Sequence, residues 1–214
     1  MEDRLVNHLN TYNRIAWMYD PLSKLFLGDE YINSKTYFLD RLKPGCSVLM
    51  LGGGTGGNLP EILERIGPQG SLYFMDASSA MIRKAKRRFY GPTPATVHFI
   101  HSADFAELTL LRPDFILAHY FLDVLTDELL ALLFSKVDQI VNPQTEWIFA
   151  DFYPVPQKQW LIRIMIRLFR IFVRHPRGDL PDYDSYFERW CWKEKGACVF
   201  LGGFIQVKVL SKED

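Results

Sequence analysis

Eleven residues constrain this chain more than any others: Val48-Leu-Met-Leu-Gly52-Gly53-Gly54-Thr55-Gly56-Gly57-Asn58. The continuous apolar run from Ser47 to Leu51 reads as a short strand covered on both faces. Glycines directly after it let the backbone turn sharply and let a ligand approach without meeting a Cβ atom. A helix opening at Asn58 would present unpaired N–H groups and a partial positive charge toward that ligand. The segment therefore predicts a cradle for a nucleotide-like cofactor, against the plainer explanation of a tight turn and nothing more.

The rest of the chain repeats this alternation. Strands are expected at Ser71 to Met75, Thr96 to Ile100, Asp114 to Ala118 and Glu146 to Ala150, separated by helices over 58–66, from Asp76 to Arg88 and from Asp127 to Val141. Five strands with helices between them in about a hundred residues predict a doubly wound parallel sheet. Two helices, near 3–18 and 30–42, precede the first strand and are separated at Pro21. Helices near 158–174 and 184–194 follow the fifth. The strands Ala197 to Leu201 and Phe204 to Leu210 close the chain through Gly202-Gly203, so one antiparallel strand joins the sheet. The predicted fold is α/β, a single domain over 1–214: helical cap 1–43, cofactor-binding core 44–152, helical lid 153–195, closing hairpin 196–214.

Composition narrows the partners. The 214 residues are 48% apolar, enough for a full core and too much for disorder. Lysine and arginine total 25, as do aspartate and glutamate, so no basic excess favours nucleic acid. Cys46, Cys191 and Cys198 show no paired spacing, and His8, His98, His101, His119 and His175 form no metal pattern. No leader-like apolar segment follows Met1, and no stretch of uncharged apolar residues is long enough to span a bilayer, so a cytoplasmic protein is expected.

The glycine run satisfies two spacings at once: Gly52-x-Gly54-x-x-Gly57, the dinucleotide fingerprint, and Gly52-x-Gly54-x-Gly56, the S-adenosylmethionine loop. Asp76, after the second strand, suits ribose binding in either case. Taken with its context, the sequence resembles class I S-adenosylmethionine-dependent methyltransferases over roughly residues 12–152. Leu49 to Asn58 resembles the first motif, Phe74 to Met81 the second, Ser102-Ala103-Asp104-Phe105 the turn after strand three, and Asp114 to His119 the strand-four motif. The resemblance implies a seven-stranded Rossmann-like sheet with the last strand antiparallel. It also implies S-adenosylmethionine held by Gly52, Gly53, Gly54, Thr55, Gly56, Asn58, Asp76, Ala77, Met81, Ala103, Asp104, Phe105, Ala118 and His119. Within that set Asp76 would take the ribose, Met81 would lie beside the adenine, and Asp104 would face its amino group. Met50 departs from the family, which usually carries an acid before the first glycine.

Methyl transfer needs a base only when the acceptor must lose a proton. Tyr19, His119, Tyr120 and Asp123 are the candidates at the pocket mouth, with Tyr19 and His119 as the catalytic pair. Tyr12 to Asp20 resembles the element that folds over the cofactor in ubiquinone/menaquinone-biosynthesis methyltransferases. From Lys158 to Arg177 six basic residues and no acid interrupt an otherwise apolar helix, with Arg163, Arg167, Arg170, Arg174 and Arg177 within an arc of about 80°. Such a helix packs inside the fold, joins a second subunit, or lies on an anionic membrane surface. A lid this apolar suggests a hydrophobic acceptor. The competing functions are an NAD(P)-linked oxidoreductase and a non-catalytic or membrane-associated cofactor-binding protein.

Overall fold

Short apolar runs bounded by turn residues become the buried strands of one sheet. The computed structural model describes residues 19–88, 95–164, 167 and 178–212. In chain order its elements are α1 (Tyr19–Thr36), β1 (Ser47–Leu51), α2 (Leu59–Ile66), β2 (Ser71–Asp76), α3 (Ser79–Arg88), β3 (Thr96–His101), β4 (Phe115–His119), α4 (Asp127–Asp138), β5 (Glu146–Phe152), α5 (Tyr183–Arg189), β6 (Trp192–Phe200) and β7 (Ile205–Lys212). The sheet order is β3-β2-β1-β4-β5-β7-β6. β1 to β5 run parallel, and β7 is antiparallel to both of its neighbours, β5 and β6. The expected doubly wound sheet with one antiparallel strand is the observed one.

Period-two alternation sends successive side chains of β1 to opposite layers. Leu49 and Leu51 join a core with α4 and α5, where Trp147, Phe134 and Phe187 pack ring against ring. Val48 and Met50 join the opposite core with Leu59, Ile62 and Ile66 of α2. A third, smaller cluster joins Leu27 and Tyr31 of α1 to Tyr120, Phe152, Leu161 and the hairpin residues Phe204 and Ile205. The Leu201 N–H also donates to the Glu30 carboxylate at 2.5 Å. Together these contacts hold α1 across the ends of β4 and β5, where a ligand of an open α/β sheet binds.

Two boundaries differ from the sequence reading. α1 does not break at Pro21, which falls in the first turn, where a missing N–H and a fixed φ are tolerated. Its interruption is at Gly28, with φ 63° and ψ −153°. β6 begins at Trp192, inside the span read as helix 184–194 and as lid. Trp192 is buried, Lys193, Glu194 and Lys195 are all exposed across a register shift between Glu194 and Gly196, and period-two alternation holds only from Lys195 to Phe200. Helix 3–18 and most of 158–177 lie outside the described residues; 159–164 are helical.

Candidate active site

The chain reverses after Leu51 in a loop whose shape requires glycine. Gly52 and Gly54 adopt φ of 60° and 58°, left-handed values that favour residues without a Cβ. A Cβ on Gly52 would stand 2.2 Å from the Phe121 ring, and one on Gly53 2.3 Å from Phe74. Gly54 is different. The nearest atom to a Cβ there is the Gly52 carbonyl oxygen at 4.0 Å, so a side chain would project into the cleft itself.

Asp76, at the end of β2, holds this loop in place. One carboxylate oxygen accepts the Gly54 N–H at 2.8 Å and the other the Ser78 N–H at 2.7 Å. Each oxygen keeps a further lone pair for a ligand hydroxyl. Burial raises the Asp76 pKa to about 6, although the two N–H donors and His101 pull the other way. Buried Ser78 accepts the Met81 N–H at 3.2 Å, which sets the start of α3 and brings Met81 to the cleft wall.

Across the cleft, β4 ends in His119 and Tyr120. Asn58, just ahead of α2, donates its amide N–H to His119 Nδ1 at 3.3 Å. An amide nitrogen only donates, so the proton of the neutral imidazole sits on Nε2. Burial, helped by the Lys35 charge, drops the His119 pKa to about 3. Its Nε2 is buried without a partner among the described residues. Tyr120 has φ 54° and shares a 2.5 Å hydrogen bond with Ser34 Oγ. Burial raises its hydroxyl pKa well beyond the ordinary phenol value. Tyr31 lies 4.5 Å from Tyr120 between ring centroids, and Lys35 Nζ sits 3.9 Å above the Tyr31 ring.

These groups enclose a cleft of about 800 Å³, counting its open mouth. Gly52, Gly53, Gly54, Thr55, Asn58, Asp76, Ala77, Met81 and His119 line it, as the sequence pattern suggested. Gly56, Ala103, Asp104, Phe105 and Ala118 do not. Gly56 is closed in by Leu59 and Ala85, and Ala118 is core. Asp104 is exposed and accepts from Ser102 Oγ and the Ala106 N–H, while Phe105 turns into the core at φ 60°. Asp123 stays behind the wall, its N–H donating to Asp151 at 3.3 Å, and burial lifts the Asp151 carboxyl well above the usual range. Tyr19 opens α1, but its side chain is outside the described parts. Tyr31, Lys35, Phe121 and Val124 also line the cleft. None belongs to the glycine motif. Only the alternation of Tyr31 and Lys35 one helical turn apart, ahead of β1, could have flagged two of them.

The methyltransferase-domain family model matches residues 48–144, from β1 to the turn before β5. Residues 48–144 are a methyltransferase domain. Solved structures extend the likeness to the whole fold. A methyltransferase from Aquifex aeolicus, named as S-adenosylmethionine-dependent, is 18% identical over 92% of this chain and 97% of its own, with a TM-score of 0.63. The DhpI complex with SAH is 16% identical over 98% of both chains, TM-score 0.67. The cyclopropane synthase MmaA2 from Mycobacterium tuberculosis is 12% identical over 85% of this chain and 84% of that one, TM-score 0.67. At such identities the likeness establishes the fold of the methyltransferase domain and nothing finer. No curated protein matches the chain.

Proposed function

We propose that the chain transfers a methyl group from S-adenosylmethionine to a small acceptor with an apolar body. S-adenosylmethionine is the cofactor of class I methyltransferase domains, and it supplies a methyl group already activated as a sulfonium. The observation that carries the reading is the carboxylate of Asp76 beneath a glycine loop that a Cβ at Gly54 would fill. Asp76 would accept both ribose hydroxyls, Met81 would pack beside the adenine, and the N–H groups of Gly57 and Asn58, just ahead of α2, would face the amino-acid tail. Tyr31, Tyr120 and Phe121 would keep water from the transfer. Proximity and orientation in such a dry site are worth several kcal/mol. His119 would position rather than deprotonate, because a buried neutral imidazole with its proton on Nε2 is a poor base. The acceptor would enter between the N-terminal cap and the insertion that separates β5 from β6.

The oxidoreductase alternative has one feature to answer. Tyr31 and Lys35 share the Tyr-x-x-x-Lys spacing of short-chain dehydrogenases. Here the pair lies ahead of β1, and the ammonium rests on the ring face, where it does not polarise the hydroxyl. Calorimetry and thermal shift with S-adenosylhomocysteine and with NADH separate the readings. At a hundredfold excess over its Kd, the cognate ligand stabilises by about 2.7 kcal/mol. S-adenosylhomocysteine is expected to bind and NADH to leave the melting temperature unchanged; the reverse overturns the assignment.

A membrane contact is supported by one surface. Trp160 and Ile164 are 60% and 40% exposed, beside exposed Arg163 and Arg167. No helix among the described residues is long and apolar enough to cross a membrane. Co-sedimentation with anionic but not zwitterionic liposomes is the expected result, and Arg163→Glu with Arg167→Glu abolishes it. Protein that stays in the supernatant with both removes this contact.

A further inference from the structure

The end of the cleft away from Asp76 is built from donors. Lys35 lies in the last turn of α1, where a lysine is ordinary because it complements the helix dipole. What sets it apart is its position in the cleft wall with no carboxylate opposite among the described residues. Among the described residues Asp76 is the single acid lining the cleft, and its oxygens are bonded to the Gly54 N–H of the glycine loop and the Ser78 N–H ahead of α3. Met50, where a carboxylate would have balanced the charge, is buried thioether. His119 Nε2 carries a proton and has no partner among the described residues, and among them the Tyr31 hydroxyl is also buried without one. The Lys35 ammonium leans on aromatic rings, 3.9 Å from Tyr31 and 5.5 Å from Tyr120, instead of on an anion. Among the described lining residues, a cationic sulfonium brought into this end meets a second positive charge and no carboxylate; Asp123 and Asp151 act on Tyr120 only from behind the wall.

Resting on the methyltransferase reading above, we propose that the acceptor enters as an oxyanion on an apolar or aromatic body, its negative charge facing Lys35 and His119 Nε2–H and its body against Tyr31 and Tyr120. The reaction then balances without a base. A lone pair of the oxyanion forms the new O–CH3 bond, the S–CH3 bond breaks, and its electron pair stays on sulfur as a neutral thioether. The positive and negative charges cancel, and no proton moves. This fits a site whose imidazole is held neutral, whose Tyr120 hydroxyl is held protonated and whose one carboxylate serves the loop. Salt-screened attraction to Lys35 would also favour anionic over neutral acceptors.

The test uses acceptor probes that differ only in charge. Benzoate, 3-phenylpropanoate and dodecanoate are titrated into protein saturated with S-adenosylhomocysteine, each beside its amide and its amine. At least one acid is expected to bind tenfold or more tightly than its amide, and no amine to bind. Lys35→Met is expected to weaken that acid at least tenfold while changing S-adenosylhomocysteine affinity less than twofold, and Lys35→Arg to restore it. Circular dichroism confirms that both variants are folded. Amines or amides binding as well as the acids overturn the proposal, as does failure of every acid. Equal loss of acid and S-adenosylhomocysteine in Lys35→Met overturns it too, by assigning Lys35 to the cofactor's own carboxylate. Failure of S-adenosylhomocysteine to bind the unaltered protein would instead remove the parent reading.

Discussion

Asp76 does two jobs with one carboxylate, and its protonation links them. The ionised form accepts the Gly54 N–H and has lone pairs left for ribose hydroxyls; the protonated form gives up part of that capacity. With a pKa near 6 in the unliganded protein, affinity for S-adenosylhomocysteine is expected to be full at pH 8 and to fall as pH drops through 6, measured by calorimetry. The sign for stability is opposite. A carboxyl whose folded pKa lies above its unfolded value binds its proton more readily when folded, so its own contribution to stability grows as pH falls from above 6 toward 4. Asp76→Asn flattens both profiles and weakens binding by about 10–100-fold, the range of one or two charge-assisted hydrogen bonds. Gly52 makes a different kind of demand. Gly52→Ala places a Cβ against Phe121 in a left-handed conformation, and a loss of about 2–4 kcal/mol in urea unfolding is expected. Adding Phe121→Ala to Gly52→Ala recovers the part due to the ring, so the pair is non-additive.

Among the elements, α1 shows where local pattern stops informing. Its interruption at Gly28 lies in a backbone region that only glycine occupies without strain, and nothing stands within 4 Å of where a Cβ would be. Gly28→Ala is therefore expected to cost about 1–3 kcal/mol from backbone strain alone, read as a lower urea midpoint. Proline was the visible breaker, yet Pro21 sits where a helix tolerates it. β1, β4 and β5 were legible because strands buried on both faces are written as unbroken apolar runs, and the predicted ends of all five strands from β1 to β5 fall within two residues of the observed ones. β6 was not, because exposed Lys193, Glu194 and Lys195 hide the strand's one-faced pattern in a charged stretch that also suits a helix. The same division holds in the site. Gly52 to Asn58, Asp76 and Met81 sit in contiguous motifs that carry their own geometry. Tyr31, Lys35, Phe121 and Val124 reach the cleft only because α1 and the turn after β4 fold onto it. Asp104 stays outside it, exposed, with one carboxylate oxygen accepting from both Ser102 Oγ and the Ala106 N–H.

At the scale of the molecule, sheet order and chain order disagree at one end. β7, the last strand in sequence, lies between β5 and β6 instead of at the rim. It pairs with β5 from Glu146↔Ser211 to Phe152↔Ile205 and with β6 on its other side. Arg41, ahead of β1, closes the same margin from below with a two-pronged bond to Glu146 at 2.5 and 2.6 Å. During synthesis, everything up to Phe152 leaves the ribosome before a partner for the open flank of β5 exists. For that interval the nascent polypeptide displays an unzipped row of amides and carbonyls, the template on which stray strands pair and aggregates start.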